Sequence, residues 1–516
     1  MPNFQSDCLV QAKTGTGKTL AFLLPALHSL LSQPRLPRGQ VAILIVSPTR
    51  ELALQIAKEG TSVTSQLQRG EIEFHTAYGG TSKARELNAF MSGDPKVLVA
   101  TPGRLNDYLS DPAVVQKFAS LRTFILDEAD TMLETGFLPS IQQILRMLPR
   151  KTTGWQGMCF SATIPAKIHT VLPNVLNPGF THLTTVNPDE APTIDRVEQH
   201  AVIAPSVQDI FNTLYALLQH EQNQTSGNFK IIVFGATANG VALMASLFSN
   251  IFDRRSNAQV FQLHSRLSQS SRVRTTNEFK AASAGIMFAS DVIGRGMDFP
   301  NVSLVIQVGV PSSRDQYTHR VGRTARAGNE GHAVILLTQR ESFFLKVNKA
   351  LPIRPYPTDL SAMAASLAPE VQAAFNKVDD ATKAKAYQAW LGFHKTLTKQ
   401  LQLTDEGLVQ EANAHAASMG CPEPPAIEKK TIGKMGLKGV RGLRIGPPQE
   451  GGGGGGRRHG AGGSANRGGR SEGSGPPMAN GHSAPNGPGA GRGRGGGRGR
   501  GRGGARGGRV EKGRGA

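Results

Sequence analysis

The sequence predicts an α/β protein: two parallel-sheet units, then a mostly helical extension and a disordered Arg/Gly-rich tail. Three observations predict it. Short apolar, β-branched runs alternate with helical patterns from residue 1 to 345. The series is broken near 185–200, where VNPDEAPTID is polar and turn-rich. The last stretch, residues 451–516, has no Phe, Tyr or Trp at all.

The strand candidates follow in order. In the first unit they are DCLVQA (7–12), VAILIVSP (41–48), EIEFHTAY (71–78), KVLVATP (96–102), RTFILDEAD (122–130) and MCFSAT (158–163). In the second they are KIIVFGAT (230–237), NAQVFQLH (257–264), AGIMFASD (284–291), VSLVIQVG (302–309) and GHAVILLT (331–338). Near-continuous apolar runs separated by helices indicate parallel strands buried on both faces. The expected domains are 1–190, 191–345, a helical extension at 346–447 without strand runs, and a tail at 448–516. In the extension, ATKAKAYQAWLGFHKTLTKQL (381–401) sets Tyr387, Trp390, Leu391, Leu397 and Leu401 on one helical stripe. Core packing is the first reading of its aromatics, with lysines on the opposite face able to meet phosphates.

Charge narrows the partner. The 516 residues carry 58 Lys and Arg against 38 Asp and Glu, a formal +20. A chain this basic pairs with a polyanion. The tail holds 12 Arg and 1 Lys against 2 Glu, with 29 of the 60 glycines. It cannot bury enough apolar surface to offset chain entropy, so disorder is expected. Its four Arg-Gly-Gly triplets, starting at Arg467, Arg494, Arg502 and Arg506, suit nucleic-acid phosphates and bases. No apolar run approaches the ~18–20 residues of a membrane span. MPNFQSDCLV lacks a secretory pattern, so a non-secreted, intracellular protein is expected. Cys8, Cys159 and Cys421 are too far apart in sequence for a C-x-x-C site.

Two elements carry chemistry. AKTGTGKT (12–19) follows the run CLV and opens a helical stretch, the context of a phosphate-binding loop. Gly15 and Gly17 let backbone amides turn to phosphate, and the helix N-terminus adds positive charge. Lys18 would reach the β- and γ-phosphates, and Thr19 would ligate Mg²⁺. The general pattern starts with Gly, where this chain has Ala12. LDEAD (126–130) ends an apolar strand. Acids there either hold a cation and a water or form a solvated helix start. On the first reading Asp127 is the Mg²⁺ partner, through water, and Glu128 orients the attacking water. HRVGRTAR adds Arg320, Arg323 and Arg326, a cluster that repels itself unless an anion sits among the guanidiniums.

With these motifs the chain resembles the DEAD-box ATP-dependent RNA helicases, over residues 10–345. It has PTRELA (48–53), Gly79-Gly80, TPGR (101–104), DEAD (127–130), SAT (161–163), Gln269 with Arg272, ASDVIGRGMD (289–298) and HRVGRTARAG (319–328). The resemblance implies two RecA-like domains, ATP with Mg²⁺, and RNA as partner. It implies nucleotide contacts at Thr14, Gly15, Thr16, Gly17, Lys18, Thr19 and Asp298. RNA contacts are implied at Pro48, Thr49, Arg50, Gly79, Gly80, Thr101, Pro102, Gly103, Arg104, Gln269, Arg272, Ser290 and Asp291. Asp130, Ser161, Thr163, Arg295, His319 and Arg320 would couple the two activities, and Arg323 and Arg326 would serve as arginine fingers beside Asp127 and Glu128.

Three departures stand out. Only eleven residues precede Ala12, and Phe4 and Gln5 lie too close to the loop to serve as the family's adenine-reading aromatic and glutamine. A truncated N-terminus or weakened adenine selectivity is expected. Ala325 stands where Gly is usual, and Ser290 where Thr is commoner. The segment HAASMGCPEPPAIEKKTIGKMGLKGVRGL (415–443), with the tail, resembles the extension of mitochondrial DEAD-box RNA chaperones and implies a mitochondrial location. Two functions stay open: an ATP-dependent RNA helicase, or a non-catalytic RNA-binding protein acting through tail and extension.

Overall fold

The computed structural model describes residues 6–12, 16–67, 72–134, 136–164, 166–170, 172–185, 197–224, 229–252, 258–291, 293, 299–325 and 331–447. Phe4, Gln5, Thr14, Gly15, Arg295, Asp298, Arg326 and the tail at 448–516 lie outside the described residues.

Two seven-stranded parallel sheets carry the fold. The first contains β1 (Cys8–Gln11), β2 (Ile43–Val46), β3 (Glu73–Ala77), β4 (Pro95–Ala100), β5 (Thr123–Leu126), β6 (Gln156–Ser161) and β7 (Thr181–Thr184). Its order is β3-β4-β2-β5-β6-β1-β7. The second contains β8 (Glu198–Ala204), β9 (Lys230–Gly235), β10 (Val260–Leu263), β11 (Gly285–Ala289), β12 (Leu304–Val308), β13 (His332–Thr338) and β14 (Ile353–Pro355). Its order is β10-β11-β9-β12-β13-β8-β14, the same path through the sheet. One topology has been used twice.

The central strands are fully buried because both faces are covered. Leu44, Val46, Leu98, Phe124 and Leu126 point into one apolar layer. Ile43, Ile45, Val97, Val99 and Ile125, which alternate with them, point into the other. That two-residue alternation within continuous apolar runs is the pattern of a strand between two helix layers.

All eleven runs read as strands form strands, and three further strands of the two sheets escape the pattern. Strand β7 reads THLT and lies at the sheet edge, half to fully exposed, so nothing selects apolar residues there. In β8 the run is interrupted by Gln199 and His200, yet both are buried. Strand β14 has three residues, sits at an edge, and ends in a proline. The extension therefore is not wholly without strands: β14 joins the second sheet, and Ile427–Glu428 pairs with Ile445–Gly446.

The extension shares its core with the second sheet. Leu360, Val371, Phe375, Tyr387, Leu391, Leu408 and Leu437 lie in one apolar cluster with Leu214, Leu217, Val241 and Phe248 of the helices covering that sheet. Phe211 meets Phe375 edge-on with ring centres 5.0 Å apart. The predicted stripe is present on the helix Asp380–Lys395 and the short helix Thr398–Leu401. Tyr387 and Leu391 are fully buried and Trp390 packs against the same cluster. One lysine departs from its expected solvent face: Lys383 is buried.

Tyr387 is also tied by its hydroxyl, which donates to Asn413 Oδ1 at 2.8 Å. Tyr387→Ala is expected to cost about 3–5 kcal/mol, the range for losing a buried aromatic ring. Urea unfolding monitored by circular dichroism checks this, with a small cost expected for Lys385→Ala on the exposed face of the same helix.

Candidate active site

The site begins where β1 ends. Gly17, at φ 86°, caps the helix Lys18–Ser32 with its backbone in the left-handed region, and nothing lies within 4 Å of where a Cβ would stand. Thr16 and Gly17 are exposed at this helix N-terminus, and Thr19 is half-buried. Lys18 turns inward and is buried. Its ammonium donates to Glu128 Oε1 at 2.8 Å.

The carboxylates come from the end of β5. Asp127, Glu128 and Asp130 are all buried. Asp127 Oδ1 accepts from the Glu128 amide at 3.0 Å, and Glu128 holds φ 53°. A non-glycine residue there costs of order 1–3 kcal/mol, a strain that clusters at functional positions. Burial, and then the charge of Glu128, push the Asp127 carboxyl up to about 7. Burial opposes the Lys18 charge, but the fields of Glu128, Asp127 and Asp130 outweigh it and hold its pKa above the ordinary value. Glu128 Oε2 is buried with no hydrogen-bond partner.

Asp130 faces the other way. Its Oδ2 accepts from the Thr163 amide at 3.0 Å and the Thr163 hydroxyl at 2.9 Å. The Ser161 hydroxyl donates to the Thr163 carbonyl at 2.6 Å and accepts from the Asp130 amide at 3.3 Å. The DEAD and SAT segments are thus one hydrogen-bonded unit.

A second group lies beyond β2 and β4. Thr49 caps the helix Arg50–Val63 by accepting from the Leu52 amide at 3.3 Å, a capping role that its residue type favours. The Arg50 guanidinium lies against Gly79 and Gly80; a Cβ on Gly80 would collide with it and one on Gly79 would crowd it, and Gly80 has φ 93°. Thr101 and Pro102 open the helix Pro102–Leu109, which also carries Gly103 and Arg104. Arg104 is held by Glu86 at 2.9 Å and the Thr81 carbonyl at 3.2 Å. Pro48 precedes this group at the end of the β2 segment.

The second sheet contributes Gln269 and Arg272, from the helix Gln269–Ala281. Both reach Glu51 of the first unit: Gln269 Nε2 at 3.1 Å and Arg272 Nη2 at 2.6 Å from its Oε1. All three side chains are buried. In the sequence Glu51 is only a first-turn acid, and its burial has no local signature there.

Arg320, on the helix Arg314–Val321, meets Asp291 in a two-point pair at 2.8 and 3.0 Å. One arginine of the cluster is therefore already paired with an acid of the chain itself. Asp291 and its buried neighbour Ser290 follow β11. Arg323 is buried, with Nε donating to the His319 carbonyl at 3.1 Å. Two further residues hold this helix: Gln307 donates to the Tyr317 carbonyl at 3.3 Å, and Tyr317 donates to Gln199 at 3.0 Å. The Tyr317–Gln199 bond has no sequence signal, because its partners are far apart in the chain.

A paired-sheet protein with a phosphate loop, buried strand-end acids and arginines on the second sheet is a nucleotide-hydrolysing motor of the helicase class. Residues 1–171 match the DEAD/DEAH box helicase family and residues 209–328 the helicase conserved C-terminal domain. The chain is 56% identical over 446 residues to the mitochondrial ATP-dependent RNA helicase MSS116 of Phaeosphaeria nodorum, covering 86% of this chain and 80% of that one. It is 58% identical over 451 residues to its Aspergillus oryzae counterpart, covering 86% and 70%. A solved structure of Mss116p bound to ssRNA and AMP-PNP superposes with a TM-score of 0.72 at 27% identity, covering 84% of this chain and 86% of that one. The chain belongs to the DEAD-box ATP-dependent RNA helicases.

This geometry makes two predictions. Glu51→Ala leaves the buried Arg272 guanidinium without its carboxylate, a loss of about 3–5 kcal/mol for a buried pair. The contact between the two sheet units should weaken, seen as a larger radius of gyration in X-ray scattering; exchanging the charges, Glu51→Arg with Arg272→Glu, should restore part of it. Ala325 has φ 51°, so this alanine occupies a conformation that glycine adopts freely. Ala325→Gly is expected to leave stability unchanged or raise it by up to about 1 kcal/mol, against the usual loss for such a change. Thermal unfolding of the two proteins checks the sign.

Proposed function

We propose that Lys18, Asp127, Glu128 and the arginines Arg323 and Arg326 hydrolyse ATP when RNA draws the two sheet units together. The observation that carries this reading is the buried Lys18–Glu128 pair beside Asp127 at the exposed N-terminus of a helix. A nucleotide phosphate arriving at Thr14, Gly15, Thr16 and Gly17 would take the lysine over and release Glu128 to orient the attacking water.

The donor set fits Mg²⁺. A buried carboxylate oxygen of Glu128 without a partner and a carboxyl at Asp127 pushed up to about 7 are two signs of a site suited to a cation. Thr19 and Asp127 would hold it, with phosphates completing its shell. Bound there, the ion would neutralise charge on the transferring phosphate. Asp298 would contact the nucleotide ribose, and Arg295 would pair with the DEAD acids.

RNA would lie across Pro48–Arg50, Gly79-Gly80, Thr101–Arg104, Gln269, Arg272, Ser290 and Asp291. Asp130, Ser161, Thr163, His319 and Arg320 would transmit closure, because the DEAD–SAT unit cannot shift at one end alone. Binding of ATP and of RNA would then favour each other. The relatives' mitochondrial designation extends to this chain, and 1–190, 191–345, 346–447 and 448–516 are its proposed domains. No helix among the described residues is long and apolar enough to cross a membrane.

Glu128→Gln keeps the size and hydrogen bonding of the side chain but removes the base. ATP and RNA should still bind while RNA-stimulated phosphate release falls by about 10²-fold or more. Near-normal release would remove Glu128 from its role, whereas absence of release from the unaltered protein would favour the non-catalytic RNA-binding alternative. Chelation of Mg²⁺ should abolish release in the unaltered protein. Deleting 451–516 should leave saturated turnover unchanged and lower RNA affinity. It should also flatten the salt dependence, by about 0.7 in log–log slope for each RNA phosphate that the tail neutralises.

A further inference from the structure

The helix that carries the arginines is thinly anchored by apolar packing. Its eight residues, RDQYTHRV, bury only Tyr317, Arg320 and Val321. Tyr317 and Val321 lie one turn apart on one stripe and enter the apolar layer against which the helix packs. Apolar burial is non-directional, so two such anchors let a short helix slide or roll. The arginines on it nevertheless have set positions. Arg320 lies over Phe234, 5.2 Å from the ring centre, and takes both oxygens of Asp291. Arg323 follows the helix end and folds back on the His319 carbonyl.

Two glutamines supply the missing direction. Gln199 stands between Val197 and Ala201 in the row of β8 that faces this layer, and Gln307 of β12 is two residues from Val305 in the same layer. Both glutamines are buried, and both are bonded to Tyr317. The Tyr317 hydroxyl donates to Gln199 Oε1 at 3.0 Å, and the Tyr317 carbonyl accepts from Gln307 Nε2 at 3.3 Å. Gln199 Nε2 donates in turn to the Val197 carbonyl at 3.1 Å. A carbonyl only accepts, so the Gln199 amide stands one way round, with its oxygen toward Tyr317. Burial pushes the Tyr317 phenol up from its ordinary range, so the hydroxyl keeps its proton and donates. The ring packs on Phe344 with centres 5.7 Å apart. Tyr317 is thus fixed at ring, hydroxyl and carbonyl, by two strands that β13 separates.

Stability alone does not call for this arrangement. Replacing both partners of a buried hydrogen bond with apolar groups of the same shape is nearly neutral. Gln307 Oε1 is also buried without a partner, an unfavourable feature that an apolar side chain would remove. What the amides add is orientation, and the helix they orient carries the arginines. We propose that Gln199, with Gln307 as a second tie, is a positioning residue for ATP hydrolysis: through Tyr317 it sets the roll and height of the helix that bears Arg320 and leads to Arg323. It rests on the role given above to Arg323 at the transferring phosphate. Misplacing a catalytic group by about 1 Å, even from a distance, lowers turnover by up to about 10²-fold.

The test uses the full chain with Gln199→Leu, with Tyr317→Phe and with both, assayed where urea curves show every variant folded. Gln199→Leu alone strands a buried hydroxyl and should lower the urea midpoint. The double variant, with both partners apolar, should recover most of it. RNA-stimulated kcat should behave otherwise. It should fall about 10- to 100-fold in Gln199→Leu and stay low in the double variant, because the orientation is not restored. KM for ATP and Kd for RNA should stay within about two-fold, since losing an interaction made only in the transition state leaves substrate binding as it was. Recovery of kcat together with the urea midpoint would overturn the proposal and reduce the bond to packing. So would a rise in KM with kcat unchanged. Arg323→Ala separates this proposal from the reading beneath it. Where Arg323→Ala lowers kcat, adding Gln199→Leu and Tyr317→Phe should lower it by no more than about two-fold again, and full multiplication of the two losses would count against the proposal. Near-normal kcat in Arg323→Ala would defeat the role of that arginine instead, and kcat of the Gln199→Leu, Tyr317→Phe protein would still judge whether the helix is held in place for hydrolysis.

Discussion

The interaction on which the rest depends is the crowding of Asp127, Glu128 and Asp130 at the end of β5 against one lysine. Three buried carboxylates within four residues repel one another in a medium that screens poorly. The protein answers each differently. Glu128 takes the Lys18 ammonium, Asp130 takes an amide and a hydroxyl from the SAT segment, and Asp127 has a backbone amide and a raised pKa. The result is a site with an incomplete balance of charge, which a nucleotide and its cation can complete. The left-handed backbone at Glu128 belongs to the same arrangement.

The same economy appears between the two sheets. Glu51 receives both Gln269 and Arg272 on one oxygen, while its other oxygen has no partner. The contact is buried and charged, so it is strong when whole and costly when halved. Such a contact suits two units that must meet in a single register. It also lies beside Arg50 on its glycine pair, so the residues proposed to face RNA and the residue joining the units come from one helix start. Asp291 on Arg320 shows a similar logic within the second unit, where an acid of the chain pairs with one guanidinium.

The extension differs from an appended module. Its helices complete the apolar layer on one face of the second sheet, with Phe375, Tyr387 and Leu391 continuous with Phe211 and Phe248. Polar ties reinforce the seam: His394 meets Glu341 at 3.1 Å, and Asn239 donates to the Lys385 carbonyl at 3.0 Å.

The sequence by itself determined the class of fold and marked the residues on which the proposed chemistry of the first unit rests. Buried parallel strands need unbroken apolar runs, and a phosphate loop needs glycines ahead of a lysine, so both leave local marks. The eleven apolar runs, the loop at 12–19 and the DEAD acids were therefore legible. Edge strands β7 and β14 were not, since a strand with one free side is under little selection for apolar residues. Strand β8 was hidden because Gln199 is buried by pairing with Tyr317, a partner more than a hundred residues away. Only the tertiary structure decided which charges meet: Glu51 with Arg272, Arg104 with Glu86, Arg320 with Asp291. It also placed Ala325 in a left-handed turn and fused the extension to the second core. A short motif records what one residue must be for its chemistry. The identity of its partner is set by distance in space, and spacing along the chain carries no record of that.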